Sequence, residues 1–388
     1  MIYTANIYTV SKKLLSLILA IFVLIGLSGC TTDNQSPKIK TIKIGVIAPL
    51  SGPAANYGED AVNAYQMVAD NFNNKNSNIK IQLVIEDDKA NPKDAVSAAQ
   101  KLITVDGVKV IVGPLFSAPT VPVSILAQQS NIILLTPTAS AASISNLGKY
   151  IYRFWNDEFA TKLVSKYLNK QKIKDIVYIG ENTDSGIDYY KGLEKYFSGN
   201  ITKLIYPPDE KDFAAFAKQI NSASQDAGYL VFFPASDVTA VSAIKAMKKE
   251  GLLERFENRI LTNEIIINDS AISQLGSLVE GFKTATFALT LKTPDIAENF
   301  IAQFKQKYEM KGAPYLLLLE AEGLSLVIDT IQKVGNDPTA ISIALDKINS
   351  SNPREGLFGK YYFDNNGDAL GLDFVLQSII NGETQIIQ

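Results

Sequence analysis

The sequence predicts an α/β protein built from two doubly wound parallel-sheet lobes joined by a three-crossover hinge. Three features carry this expectation. From residue 41 short β-branched runs alternate with amphipathic helices, the alternation comes in two successive series, and a mostly helical tail follows that neither series needs. Unbroken Val/Ile/Leu runs mark strands covered on both faces, and helices between them imply right-handed parallel crossovers.

The first series opens with Ile42-Lys-Ile-Gly-Val-Ile47 and a helix over 59–72, in which Ala61, Ala64, Tyr65, Val68 and Phe72 share an apolar face. A strand over 79–86 precedes Asn91-Pro92, where Asn suits a helix cap and Pro the first helical position. Strands over 108–113 and 132–135 follow, with a helix from Pro119 between them. The second series sets helices over 158–170, 186–197, 213–224 and 238–250 among strands over 175–179, 201–206, 229–233 and 259–261. After Thr290 the rhythm breaks. Helices over 294–308, 315–334 and 338–350 lead to two strand-like runs, 359–363 and 373–380, joined by Asp364-Asn-Asn-Gly367. Helices returning to the first lobe and final strands pairing on the second would account for this tail. The expected partition is 41–156 with 288–357 in lobe 1, and 157–287 with 358–388 in lobe 2.

Residues 1–29 read as a signal peptide: they hold no Asp or Glu, carry Lys12 and Lys13, and run apolar from Leu14 to Leu27. That run is shorter than the roughly 20 apolar residues of a comfortable spanning helix. It closes in Leu27-Ser-Gly-Cys30, which resembles a bacterial lipobox; the resemblance implies cleavage before Cys30, acylation of its thiol, and a lipidated tether over 30–40. The alternative is an uncleaved anchor helix. Either arrangement holds the folded body outside the cytoplasm and against a membrane.

Cys30 is the only cysteine and the chain has no histidine. Disulfides, thiolate metal sites and Ser-His-Asp or Cys-His catalysis are thereby excluded from the folded body, together with the commonest general base and metal ligand. No enzyme, metal or cofactor is expected. The formal charge of −3 becomes −5 once Lys12 and Lys13 leave with the signal. A mildly acidic, monomeric body has no reason to seek nucleic acid or anionic lipid.

Ligands of open α/β sheets sit beyond the carboxyl ends of the strands, so the loops after strands are informative. The first is Ala48-Pro-Leu-Ser-Gly-Pro-Ala-Ala-Asn-Tyr-Gly58, holding Tyr57; the third is Gly113-Pro-Leu-Phe-Ser-Ala-Pro-Thr120, where the Ser117 hydroxyl and free backbone N–H groups could receive an anion. The fourth, Thr136-Pro-Thr-Ala-Ser140, carries three hydroxyls. Each of these also reads as an ordinary cap or turn. Trp155, in Tyr152-Arg-Phe-Trp-Asn-Asp157, reads either as hinge packing or as a wall of a solute pocket. Tyr315 could border the cleft, whereas Glu320 and Glu322 are expected in solvent.

The stretch 42–65, with Ile-Gly-Val-Ile-Ala-Pro-Leu-Ser-Gly-Pro-Ala-Ala-Asn-Tyr-Gly-Glu-Asp inside it, resembles the opening of the leucine/isoleucine/valine-binding family of type I periplasmic binding proteins. The resemblance continues through Glu86-Asp-Asp, Asn91-Pro-Lys-Asp-Ala, Val112-Gly-Pro-Leu-Phe-Ser and Leu135-Thr-Pro-Thr-Ala-Ser. It implies a solute-binding lipoprotein of an ABC importer, with a membrane permease as partner and an amino acid or related zwitterion as ligand. A ligand-sensing ectodomain using the same clamp is the alternative. The resemblance places the ligand carboxylate on Ser117, Thr138 and Ser140, an aromatic wall on Tyr57, and the ligand ammonium on Glu264. A zwitterion needs donors at one end and an acceptor at the other, which agrees. Two departures stand out: Ser185-Gly186 where many relatives have Tyr-Gly, and Ser236, followed by Asp237, near another family aromatic. Fewer aromatics and an extra acid suit a more polar solute than leucine.

Overall fold

The computed structural model describes residues 39–387 apart from 77, 209, 211, 235, 268 and 289–294. The signal peptide and the acylation of Cys30 fall on 1–38, outside the described residues. The fold is carried by one compact unit that begins at Thr41.

The first sheet draws on β1 (Lys40–Ala48), β2 (Ile79–Asp87), β3 (Val110–Val112), β4 (Ile133–Thr136) and β5 (Ile151–Arg153), linked through α1 (Ala55–Lys75), α2 (Pro92–Thr104) and α3 (Ser117–Gln129). Its order is β2-β1-β3-β4-β5, with β1–β3, β3–β4 and β4–β5 parallel. Asn91 caps α2 by accepting the N–H groups of Lys93 at 2.9 Å and Asp94 at 3.3 Å, and Pro92 takes the first helical position. Alternate residues of β1 face opposite cores. Ile44 and Val46 join Tyr65 of α1, while Ile47 joins Ala98 and Leu102 of α2. Burial on both faces is why these strands read as unbroken apolar runs.

A second sheet follows through α4 (Asp157–Lys170), β6 (Asp175–Glu181), α5 (Asp184–Tyr196), β7 (Asn200–Tyr206), α6 (Phe213–Ala223), β8 (Tyr229–Phe233), α7 (Asp237–Lys249), α8 (Leu252–Arg255), β9 (Ile260–Thr262), α9 (Asp269–Leu275) and β10 (Lys283–Phe287). Here the order is β7-β6-β8-β9-β10, repeating the first sheet's second-first-third-fourth-fifth arrangement with all of its pairs parallel. We call the two sheets with their helices lobe 1 and lobe 2.

In the tail, α10 (Asp295–Lys307), α11 (Pro314–Val334) and α12 (Pro338–Asp346) return to lobe 1. Phe304, Leu324, Val327 and Leu345 share a core with Ile44 and Val46. The third of these helices is shorter than expected, since it ends at Asp346. The final strands depart from expectation as well. β11 (Arg354–Gly356), β12 (Gly359–Phe363) and β13 (Ala369–Leu370) form a separate three-stranded sheet. Tyr361 and Phe363 of β12 pack in the lobe 1 core, so 358–388 is not a single lobe 2 segment. Their aromatic rings explain it: they stack around Phe154 rather than on the second sheet. Only β14 (Phe374–Ile380), antiparallel to β10, and β15 (Glu383–Ile386) extend lobe 2. The chain thus passes between the lobes after Arg153, after Phe287 and after Leu370. Among the described residues no helix is long and apolar enough to cross a membrane.

Candidate ligand cleft

With strand order 2-1-3-4-5, the switch point lies between the first and third strands, where loops diverge and leave a crevice. In lobe 1 that point is flanked by the segments carrying Tyr57 and Ser117; in lobe 2 by those carrying Ser185 and Asp237. The two switch points face each other. The Tyr57 hydroxyl donates to Asp237 at 2.5 Å, Ser185 to Ser117 at 2.8 Å, and Ser140 to Ser185 at 3.3 Å. On the α5 side the Ser143 N–H also donates to Asp188 at 3.1 Å.

Tyr57 sits in the first turn of α1 rather than in a loop, edge-on to Phe116 with ring centroids 5.9 Å apart. Gly58 permits this placement, because a Cβ there would fall 1.9 Å from the Pro49 carbonyl oxygen. Ser117 is the first residue of α3. Its hydroxyl accepts the N–H groups of Ser140 at 3.1 Å and Ala141 at 3.0 Å, so it joins the two hydroxyl-bearing loops. Thr138 lies within hydrogen-bonding distance of the Leu115 carbonyl, at 3.0 Å, and of Glu320, at 2.8 Å. Arg153 fixes the same loop from behind, donating to the Ser140 carbonyl at 3.2 Å while it pairs with Asp368 at 2.6 Å.

Glu264 follows β9 on a short 3-10 turn, and among the described residues no other side chain bonds to it. It lies near Tyr57 and Tyr315 on the lobe 1 side and near Tyr189 and Asp157 on the lobe 2 side. Burial first, and then the Asp157 charge, push its carboxyl up to about 8. Asp157 itself is raised to about 6 by burial, against the pull of its hydrogen bonds and of Arg153. The cleft therefore carries the carboxyl groups of Asp157, Asp237 and Glu264 opposite a cluster of hydroxyls. A ligand that is cationic where it meets Glu264 and rich in acceptors where it meets Ser117, Thr138 and Ser140 fits this polarity.

Two expected site residues do other work. The Ser236 hydroxyl caps α7, accepting the Thr239 N–H at 3.2 Å and bonding the Thr239 hydroxyl at 2.9 Å; Asp237, one residue on, reaches Tyr57 instead. Trp155 is 1% exposed, packs on Phe287 with ring centroids 4.5 Å apart, and donates its indole N–H to Asp157 at 3.0 Å. It fills the hinge rather than walling the cleft. Glu320 and Glu322, expected in solvent, are 2% and 1% exposed. Glu322 accepts from Arg354 at 2.6 Å, Tyr361 at 2.8 Å and the Leu357 N–H at 3.0 Å; Glu320 accepts from Tyr65. Their helix packs into the lobe 1 core and is itself buried around most of its circumference, which one helix's pattern does not reveal. Asp157 and Tyr189 were not singled out from sequence. Asp157 had a usable signal, an acid at the first position of the helix that follows a crossover.

Residues 41–383 match the periplasmic binding protein family. A Leu/Ile/Val-binding protein of Rhizobium johnstonii is 34% identical over 201 residues, covering 48% of this chain and 53% of that one. A leucine-, isoleucine-, valine-, threonine- and alanine-binding protein of Pseudomonas aeruginosa is 26% identical over 354 residues, covering 88% of this chain and 91% of the other. Among solved structures, the isoleucine complex of a branched-chain amino acid transporter substrate binding protein from Streptococcus pneumoniae superposes with a TM-score of 0.78 at 21% identity, over 90% of this chain and 99% of the other. An ABC transporter solute binding protein from R. palustris in complex with 4-hydroxybenzoate superposes with a TM-score of 0.80 at 20% identity, over 90% and 96%.

Proposed function

The chain belongs to the periplasmic binding protein family, and on that premise we propose that it is the extracytoplasmic solute receptor of an ABC importer, capturing a small amino acid by closure of its lobes. Acylation at Cys30 would tether it beside the membrane permease that receives the solute. One observation carries the ligand class: Glu264 is a carboxyl without a side-chain partner among the described residues, set across the cleft from Ser117, Thr138 and Ser140. An α-ammonium meets the first and an α-carboxylate the second. Charge-assisted bonds contribute about 1.5–3 kcal/mol each. Three or four supply the roughly 8 kcal/mol of micromolar binding. The nearby Asp157 and Asp237 disfavour a benzoate-type anion and favour a side chain more polar than leucine.

Calorimetry with the standard L-amino acids and with 4-hydroxybenzoate tests this. Binding of at least one amino acid at micromolar affinity, lost on Glu264→Ala with the melting transition intact, is expected. Benzoate binding without amino-acid binding, or unchanged affinity in Glu264→Ala, overturns it.

A further inference from the structure

Behind the hydroxyl cluster, Glu320 is a buried acid that the binding geometry has not yet used. Helix α11 lies directly on the loop after β4: a Cβ at Gly323 would come within 2.7 Å of Pro137 and 2.8 Å of Leu135. That close approach brings Glu320, one turn earlier, to Thr138. Its Oε1 is 2.8 Å from the Thr138 hydroxyl, and its Oε2 accepts the Tyr65 hydroxyl from α1.

Proton counting decides the state of this network. The Thr138 hydroxyl has a single proton. Two acceptors stand within reach of it, the Leu115 carbonyl at 3.0 Å and Glu320 Oε1. With Glu320 ionised, both compete for that proton and one goes without. With Glu320 protonated on Oε1, every group is satisfied: Tyr65 donates to Oε2, Oε1–H donates to Thr138, and Thr138 donates onward. Only in this second arrangement can Thr138 turn its proton from Leu115 to a ligand carboxylate, a stronger acceptor than a neutral carbonyl. Ionisation would also place a buried anion directly behind the position proposed for the ligand's own.

We propose that Glu320 is a positioning residue for ligand capture, its protonated form holding Thr138 as a donor to the ligand carboxylate, so that carboxylate binding and protonation of Glu320 favour each other. The inference rests on the amino-acid reading above. Burial supports it by raising the Glu320 carboxyl to about 7, against the pull of the Tyr65 and Thr138 hydrogen bonds. Among the described residues, the surroundings of Glu320 offer no competing charge. From α1 it faces Tyr65 and from the loop after β4 Thr138; β3 presents only Val110, Ile111 and Val112. On α11, Glu322 turns away to Arg354 and Tyr361. Lys307 of α10 pairs with Asp70, and Asp346 of α12 accepts from Tyr152. The cleft acids Asp157, Asp237 and Glu264 also titrate around a bound ammonium, so the test compares two proteins that share them.

Glu320→Gln keeps the geometry, with an amide donor to Thr138 and a carbonyl acceptor for Tyr65, and abolishes the titration. The probe is whichever standard L-amino acid binds tightest in the calorimetric panel, measured from about pH 6 to about pH 9. The expected result is that Kd(wild type) divided by Kd(Glu320→Gln) is flat below the Glu320 titration and rises about tenfold per pH unit above it. A ratio that stays flat throughout overturns the proposal. Should the variant fail to fold, the wild type is titrated at about pH 8.5 in buffers of different ionisation enthalpy. Cleft acids that meet an ammonium only release protons, and Glu264 has a minor share left to release there, so net proton uptake beyond that of the ligand's own amine is expected. Absence of uptake, or net release, is equally fatal. If no amino acid binds at any pH, the amino-acid reading falls and this inference with it; binding without the pH signature removes the inference alone.

Discussion

A carboxyl held among tyrosines and beside a second carboxyl is costly as an anion, and the ligand-free protein bears that cost at Glu264. Its folded pKa of about 8 lies above the ordinary 4.5. Between these values the native state binds one more proton than the unfolded chain, so stability falls as pH rises through the interval and the loss is complete above it. Glu264→Gln removes the titration. Ligand-free Glu264→Gln should be more stable than wild type by about 2 kcal/mol near pH 8.5, after discounting for partial solvent access, and equal to it near pH 4. Urea unfolding at the two pH values checks this; the same difference at both would assign the effect to packing. The placement of Ser117 and Ser140 beside the crevice was legible at this scale because hydroxyls after parallel strands fall there wherever the sheet order reverses; their binding role is the proposal above. Ser236 was misread for a physical reason: a serine before an acid at a helix start serves equally well as a cap. Glu320 escaped because its partners, Tyr65 and Thr138, are remote in sequence.

At the scale of elements, periodicity and caps located most strands and helices of both series, including the Asn91 cap that the structure places at α2. The three-residue β5 and the five-residue β10 were not anticipated. The first hides in the aromatic run around Trp155, and the second is an interior strand of alternating Thr and apolar residues, Lys283–Phe287. The tail was legible as helices but not in its final pairing, since β12 is held by ring contacts rather than by a sheet the sequence could indicate. These late segments also bind the hinge. Asp368, just before β13, accepts from Arg153 at 2.6 Å, Asn156 at 3.0 Å and Ser145 at 2.6 Å, joining the first and third passages between lobes. Arg153 is 1% exposed, so removing its partner strands a buried cation. Asp368→Ala should cost about 3–5 kcal/mol. An Arg153→Met, Asp368→Leu double variant should recover most of that. Denaturant midpoints of the three proteins decide; additive losses in the double variant would contradict the ion-pair account.

For the molecule as a whole, the contacts between lobes set how ligand affinity depends on closure. Tyr57–Asp237 and Ser117–Ser185 bridge the lobes directly and stabilise the closed arrangement by their own bonds. A ligand adds its differential affinity for that arrangement. Tyr57→Phe deletes one bridging hydrogen bond while keeping the ring against Phe116. A bond to a charged acceptor contributes about 1.5–3 kcal/mol, so the ligand-free closed population should fall by about tenfold or more relative to open. Apparent affinity weakens as the binding-competent fraction shrinks, and saturating ligand restores closure. The folded body has no cysteine, so dyes can be attached at two introduced ones, replacing exposed Lys109 of lobe 1 and Lys218 of lobe 2, once Cys30 is changed to serine. Single-molecule energy transfer should then show a longer inter-dye distance in ligand-free Tyr57→Phe than in the wild type, and coincident distances when both are saturated. Equal ligand-free distances would mean that the hinge, packed by Trp155 and locked by Arg153 and Asp368, sets closure without help from the cleft.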